Sequence, residues 1–162
     1  MDSPSQTSPD DLIVLLSTVP ERVGDLVGGL DRAQLGYRHG PGFPSLEEVI
    51  IHLTHSGPAV DGLLRGLSHG ESHPIRLGWV TQWNLSEDGD RPVSDRLEDF
   101  ARLRRRTVDL LRGFSAEDWT RTVEDEDRGE TSIAEVCFEL ARHELGHLTQ
   151  VRNLMAVIPD RP

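Results

Sequence analysis

The 162-residue chain contains no lysine: all 17 of its basic residues are arginine. Schiff-base chemistry on a lysine amine is thereby excluded. A single cysteine, Cys137, forbids a disulfide within the chain and suits a reducing compartment, so a cytoplasmic location is expected. No apolar run approaches the roughly 20 residues of a membrane span, so no membrane partner is expected. Aromatic residues make up only 5% of the chain. With β-branched residues also sparse and Leu, Arg, Glu and Ala plentiful, the composition favours helices over strands. Cations are outnumbered, 17 against 28 acidic residues, for a net charge of -11. Affinity for a phosphate backbone needs clustered cations, so no nucleic-acid partner is expected either. The one cluster, Arg102, Arg104, Arg105 and Arg106, reads as the solvated face of a helix.

What is present is enough for one domain with its own core. Met1 to Pro9 is polar and rich in Pro and Ser, with neither a basic nor an apolar region of a signal peptide. It is expected to be a disordered tail preceding a single domain over 10–159. Four helical segments follow, all-α in pattern. The first spans about 10–30, with Leu12, Leu16, Val19, Val23 and Val27 at helical spacing, and Pro20 either kinks it or begins its second half. Ser45 and Glu48 form a capping box for the second, which runs to about Leu67 with Gly57-Pro58 as a potential kink. The third covers about 94–113. The fourth opens at Thr131 or Ser132 after an acidic turn, Glu124 to Asp127, and runs to about Ile158. The connection from Ser68 to Pro92, carrying Trp79 and Trp83, is long for a compact domain unless it crosses a bundle or lines a site. No period-two strand stands out. Four helices with one long crossover between the second and third make a four-helix bundle.

The chemistry concentrates in the fourth helix, which reads His143-Glu144-Leu145-Gly146-His147. Residues four apart share a helix face, so both imidazoles stand one turn apart. They fall inside the apolar stripe of Ile133, Val136, Leu140, Val151 and Leu154, where buried nitrogens need either a metal or hydrogen bonds to buried carbonyls or carboxylates. On the second helix His52 lies on the shoulder of the apolar stripe and faces the pair, whereas His55 points to solvent. Three neutral imidazoles would leave one to three coordination positions open for water or substrate. His39, His69 and His73 fall in loops and read as surface residues. Glu144 is either a general base beside the metal or a carboxylate on the helix surface or a dimer interface. Glu139 and Glu48 each precede a histidine by four residues and either orient its ring or face solvent.

The chain resembles the DinB/YfiT-like superfamily of metal-dependent enzymes over most of its length. The resemblance rests on "GLDRAQL" leading into "GFPSLEEVIIHL", on "FSAEDWTRTV" before the last helix, and on "ARHELGHLTQVRNL" with its His-x-x-x-His pair and following Gln. It implies an up-down-down-up topology, commonly as a homodimer, and places the metal ligands at His52, His143 and His147. It also implies a divalent metal, zinc first and nickel, iron, manganese or cobalt as other options. The implied activity on a small-molecule substrate is a thiol-dependent transferase, of mycothiol or bacillithiol type, or a hydrolase. Phe43-Pro44-Ser45-Leu46 departs from the usual Trp-Ser-Leu. A non-catalytic stress or binding protein with a structural or vestigial metal site is the alternative.

The string His-Glu-x-x-His also matches zinc peptidases. Gln150 and Asn153 stand where a metzincin needs Gly and His, and no Glu follows His147 to complete a thermolysin-like site. The peptidase reading is therefore minor.

Overall fold

The computed structural model describes residues 7–71, 74–76, 78 and 91–159. The chain is mostly helical: α1 (Pro9–Val27), α2 (Arg32–Leu35), α3 (Leu46–Ser56), α4 (Pro58–Ser68), α5 (Val93–Arg112), α6 (Ala116–Thr120) and α7 (Ile133–Met155). A hairpin of β1 (Thr122–Asp125) and β2 (Gly129–Ser132) precedes α7. No described helix is long and apolar enough to cross a membrane.

Local hydrogen bonding sets the helix starts. Ser8 caps α1 and Pro9 follows it at a position where a missing N–H costs nothing, so the end of the expected tail belongs to the helix. Residues 1–6 lie outside the described set. The expected Ser45–Glu48 box is formed: Glu48 Oε2 accepts from the Ser45 N–H at 2.8 Å, and Ser45 Oγ accepts from the Glu48 N–H at 3.3 Å. Ser132 and Glu135 do the same for α7, and the Ser132 donors hold the Glu135 carboxyl below its ordinary range. Pro20 does not divide α1; it is buried within one continuous helix.

The second expected helix is in fact two. Gly57 separates α3 from α4, and Pro58 opens α4 at its first position. Strands, unexpected from the sequence, occupy part of the acidic turn: Glu124 and Asp125 belong to β1, paired antiparallel with β2 from Thr122↔Ser132 to Asp125↔Gly129. Only Val123 and Asp125 of β1 and Thr131 of β2 are buried, so the period-two signal is too short to stand out. Gly129, at φ +84°, supplies the left-handed turn residue. Ile75 adds a parallel bridge to Asp125, bringing the start of the long connection against the hairpin. Trp79 and Trp83 lie outside the described residues.

The apolar core has two parts. One joins Leu12 and Leu16 of α1, Val60 and Leu64 of α4, Val108 and Leu111 of α5, and Val136 and Leu140 of α7. The other joins Val19 and Val23 of α1, Ile50 and Leu53 of α3, Phe100 of α5, and Leu148 and Val151 of α7. Between these two sets on the same helices fall Ser56 and Gly57, Arg104 and Thr107, and His143, Glu144 and His147. A polar layer is thus sandwiched between two apolar ones.

Candidate metal centre

The three histidines expected to meet do meet. His52, in the second turn of α3, is 2% exposed, while His143 and His147 on α7 are half-buried. Their ring centroids stand 5.0 Å (His52–His143), 4.7 Å (His52–His147) and 4.4 Å (His143–His147) apart, all edge to face. One nitrogen from each lies within 4.8 Å of the other two. Among the described residues no other group of three His, Cys, Asp or Glu side chains comes together in this way.

Such a cluster resists protonation. Burial pushes the His143 pKa down to about 3, and the neighbouring His147, His52, Arg104 and Arg142 push in the same direction. Burial also lowers His147, against a hydrogen bond to Gln150 that favours its charged form. Nδ1 of His147 lies 2.8 Å from Gln150 Oε1, an arrangement in which Nδ1–H donates and Nε2 keeps its lone pair. Nε2 of His143 is buried and has no hydrogen-bond partner. A buried, neutral, unsatisfied ring nitrogen beside two other imidazoles is costly unless a Lewis acid takes its lone pair. The donor set therefore fits a divalent metal ion, since three imidazoles suit zinc, nickel and iron alike.

The other candidates fall elsewhere. His55 is half-buried on α3, not fully turned to solvent, and does not join the cluster. His39 and His69 are exposed, the latter with its ring Nδ1 2.7 Å from the Arg65 carbonyl; His73 lies outside the described residues. Both upstream glutamates are engaged elsewhere: Glu48 with the α3 cap and Arg38, and Glu139 with Arg142 at 2.7 Å and Arg128 at 3.7 Å.

Glu144 is not on the surface. It is fully buried, its Oε1 accepting from Arg104 Nε at 2.6 Å and also contacting Arg104 Nη2. Burial drives its pKa up, while the charge and hydrogen bonds of Arg104 pull against that shift. No oxygen of Glu144 belongs to the close set of donor atoms. Arg104 is likewise the exception to the expected solvated arginine face: Arg102, Arg105 and Arg106 are exposed, but Arg104 is 1% exposed. Its place four residues from both Phe100 and Val108, on the inner stripe of α5, was a signal of this. Nη1 donates to Thr107 Oγ1 at 3.3 Å, and that hydroxyl has two acceptors in reach, the Leu103 carbonyl at 3.1 Å and Asp61 Oδ1 at 3.4 Å.

Among solved structures, the chain is similar to YfiT from Bacillus subtilis, described as a probable metal-dependent hydrolase with an unusual four-helix bundle topology. The two share 21% identity over 95% of this chain and 89% of that one, with a TM-score of 0.77. It is also similar to a mycothiol-dependent maleylpyruvate isomerase, at 14% identity and a TM-score of 0.66, covering 93% of this chain and 63% of that one. At these identities the likeness concerns the fold. No curated protein matches the sequence. The model of the DinB superfamily matches residues 15–151, the span that holds all three histidines, and the chain belongs to that superfamily.

Proposed function

We infer that this protein is a metal-dependent enzyme whose divalent ion is held by His52, His143 and His147. One observation carries the reading: three imidazole nitrogens from two helices gathered within 4.8 Å, with Nε2 of His143 buried and unsatisfied. Among the described residues the three imidazoles gather without a fourth ligand, the pattern of an open, reactive site, whereas a structural zinc closes its shell with protein. The bound ion would supply Lewis acidity, lowering the pKa of a water or a small thiol at its open position.

The chain's own residues prepare that chemistry. Burial keeps His143 and His147 neutral, so their lone pairs stay available across physiological pH. Gln150 orients the His147 ring. We assign Glu144 no proton-transfer role, because it is fully buried and its Oε1 is held by Arg104. The reaction class we favour is hydrolysis, since the similarity to a probable metal-dependent hydrolase runs along nearly the whole of both chains. Transfer or isomerisation with a low-molecular-weight thiol is the second reading, favoured by the fold's likeness to a mycothiol-dependent isomerase. An up-down-down-up order of the four long helical limbs, a homodimer and a cytoplasmic location complete the proposal.

Metal analysis of the purified protein, beside a His143→Ala variant, tests it. We expect about one ion per chain, lost in the variant with helical content unchanged, since losing a direct ligand exceeds the 10–100-fold penalty typical of lost outer partners. A wild-type protein that binds no metal after loading with zinc or nickel would sink the enzyme reading.

A further inference from the structure

The two helices that carry the histidines are both referenced to one side chain on a third. Arg104 of α5 holds Glu144, the residue next to His143. Its guanidinium also lies against Gly57, which ends α3 one and a half turns beyond His52. A Cβ built on Gly57 would stand 2.6 Å from Arg104 Nη2 and 2.7 Å from Leu103 Cδ2. Gly57 has ordinary right-handed backbone angles, φ -94° and ψ -29°, so glycine is needed there for space rather than for conformation. Arg104 thus links the α3–α4 break to the α7 turn that carries the histidine pair.

We propose that Arg104, Glu144 and Gly57 are positioning residues of the metal centre, setting the separation between His52 and the His143–His147 pair. The assignment rests on the metal-site reading above. A buried pair of this kind adds little net stability compared with apolar residues of similar volume, which leaves geometric registry as its use. Arginine's rigid planar fork suits that task, since it fixes both distance and angle where a flexible ammonium would not.

The test replaces the pair together, Arg104→Met with Glu144→Leu, because removing one partner strands a buried charge and threatens folding. Cobalt(II) binding to this variant is followed by titration and by its visible absorption, beside thermal melts. A folded variant that binds cobalt at least tenfold more weakly, with an altered absorption band, supports positioning. A folded variant with wild-type affinity and spectrum overturns it. Should the paired variant not fold, Gly57→Ala carries the same readouts and the same two outcomes. Absence of cobalt binding in the wild type defeats the metal reading instead. The crystal structure of Gly57→Ala then decides: ring nitrogens spread beyond their wild-type spacing support the proposal, and unchanged spacing refutes it.

Discussion

Arg104 directs both Nε and Nη2 at one oxygen of Glu144, Oε1, in a fully buried contact between α5 and α7. In a His-Glu-x-x-His string the glutamate is a general base in peptidases, and here one of its oxygens is held by an arginine of another helix. The consequences are measurable.

Glu144→Ala should act on stability before chemistry. It leaves the Arg104 guanidinium buried without a counter-charge, a loss of about 3–5 kcal/mol in urea unfolding. Glu144→Gln keeps the shape and should cost less. A variant that unfolds like the wild type but loses about 100-fold or more in rate would instead make Glu144 the base.

Gln150→Leu removes the acceptor that fixes the His147 ring. Outer partners of this kind are worth about 10–100-fold in metal affinity. We expect a loss in that range by zinc titration, with the melting temperature of the metal-free protein nearly unchanged. Equal affinity would show that the hydrogen bond does not orient the ligand.

Acid should destabilise the metal-free protein earlier than carboxylate titration alone would. The folded chain keeps His143 neutral down to about pH 3, whereas the unfolded chain protonates it near its ordinary value of about 6.5. Between those values the unfolded state binds more protons, so stability falls as pH falls through this window. The slope from this residue is at most about 1.4 kcal/mol per pH unit, less as solvent screens the half-buried ring. Melts from pH 8 to pH 4 should be shallower for His143→Ala; identical slopes would refute the account.

Cys137 should be inert in the folded chain. Burial pushes its thiol up to about 12 although Arg104 pulls the other way, and the side chain is inaccessible within the α7 core. Thiol reagents at pH 8 should label it only after unfolding, and Cys137→Ala should leave activity intact. Rapid labelling of the native protein would show that α7 opens locally.

Much of the fold is legible along the chain because its causes are local. The box at Ser45–Glu48 and the stripe of Leu12, Leu16, Val19 and Val23 act within a turn or two, and the structure forms both. The hairpin was not legible, since four-residue strands with few inward side chains leave almost no period. Gly57 was readable as a disturbance of a helix but not as a clean break, because its reason lies in Leu103 and Arg104 on another helix. For the centre, the helical wheel puts His52 and not His55 with the α7 pair, because the face a residue presents depends on angle, although His55 is half-buried and not turned to solvent. The inward face of Arg104 is marked by its spacing from Phe100 and Val108, but its partner is not, since Glu144 stands 40 residues away.

By itself the sequence determined where α3 and α7 begin, which faces of the long helices are apolar, that lysine chemistry is absent, and that two imidazoles share a face of α7. Each follows from hydrogen bonds and periodicities spanning a few residues. Only the tertiary structure decided that Glu144 meets Arg104, that Gly57 lies close against Leu103 and Arg104, and that His52 joins the α7 pair. Charge pairing depends on what a distant segment brings to the same place, and a local pattern gives at most the inward face, not the partner.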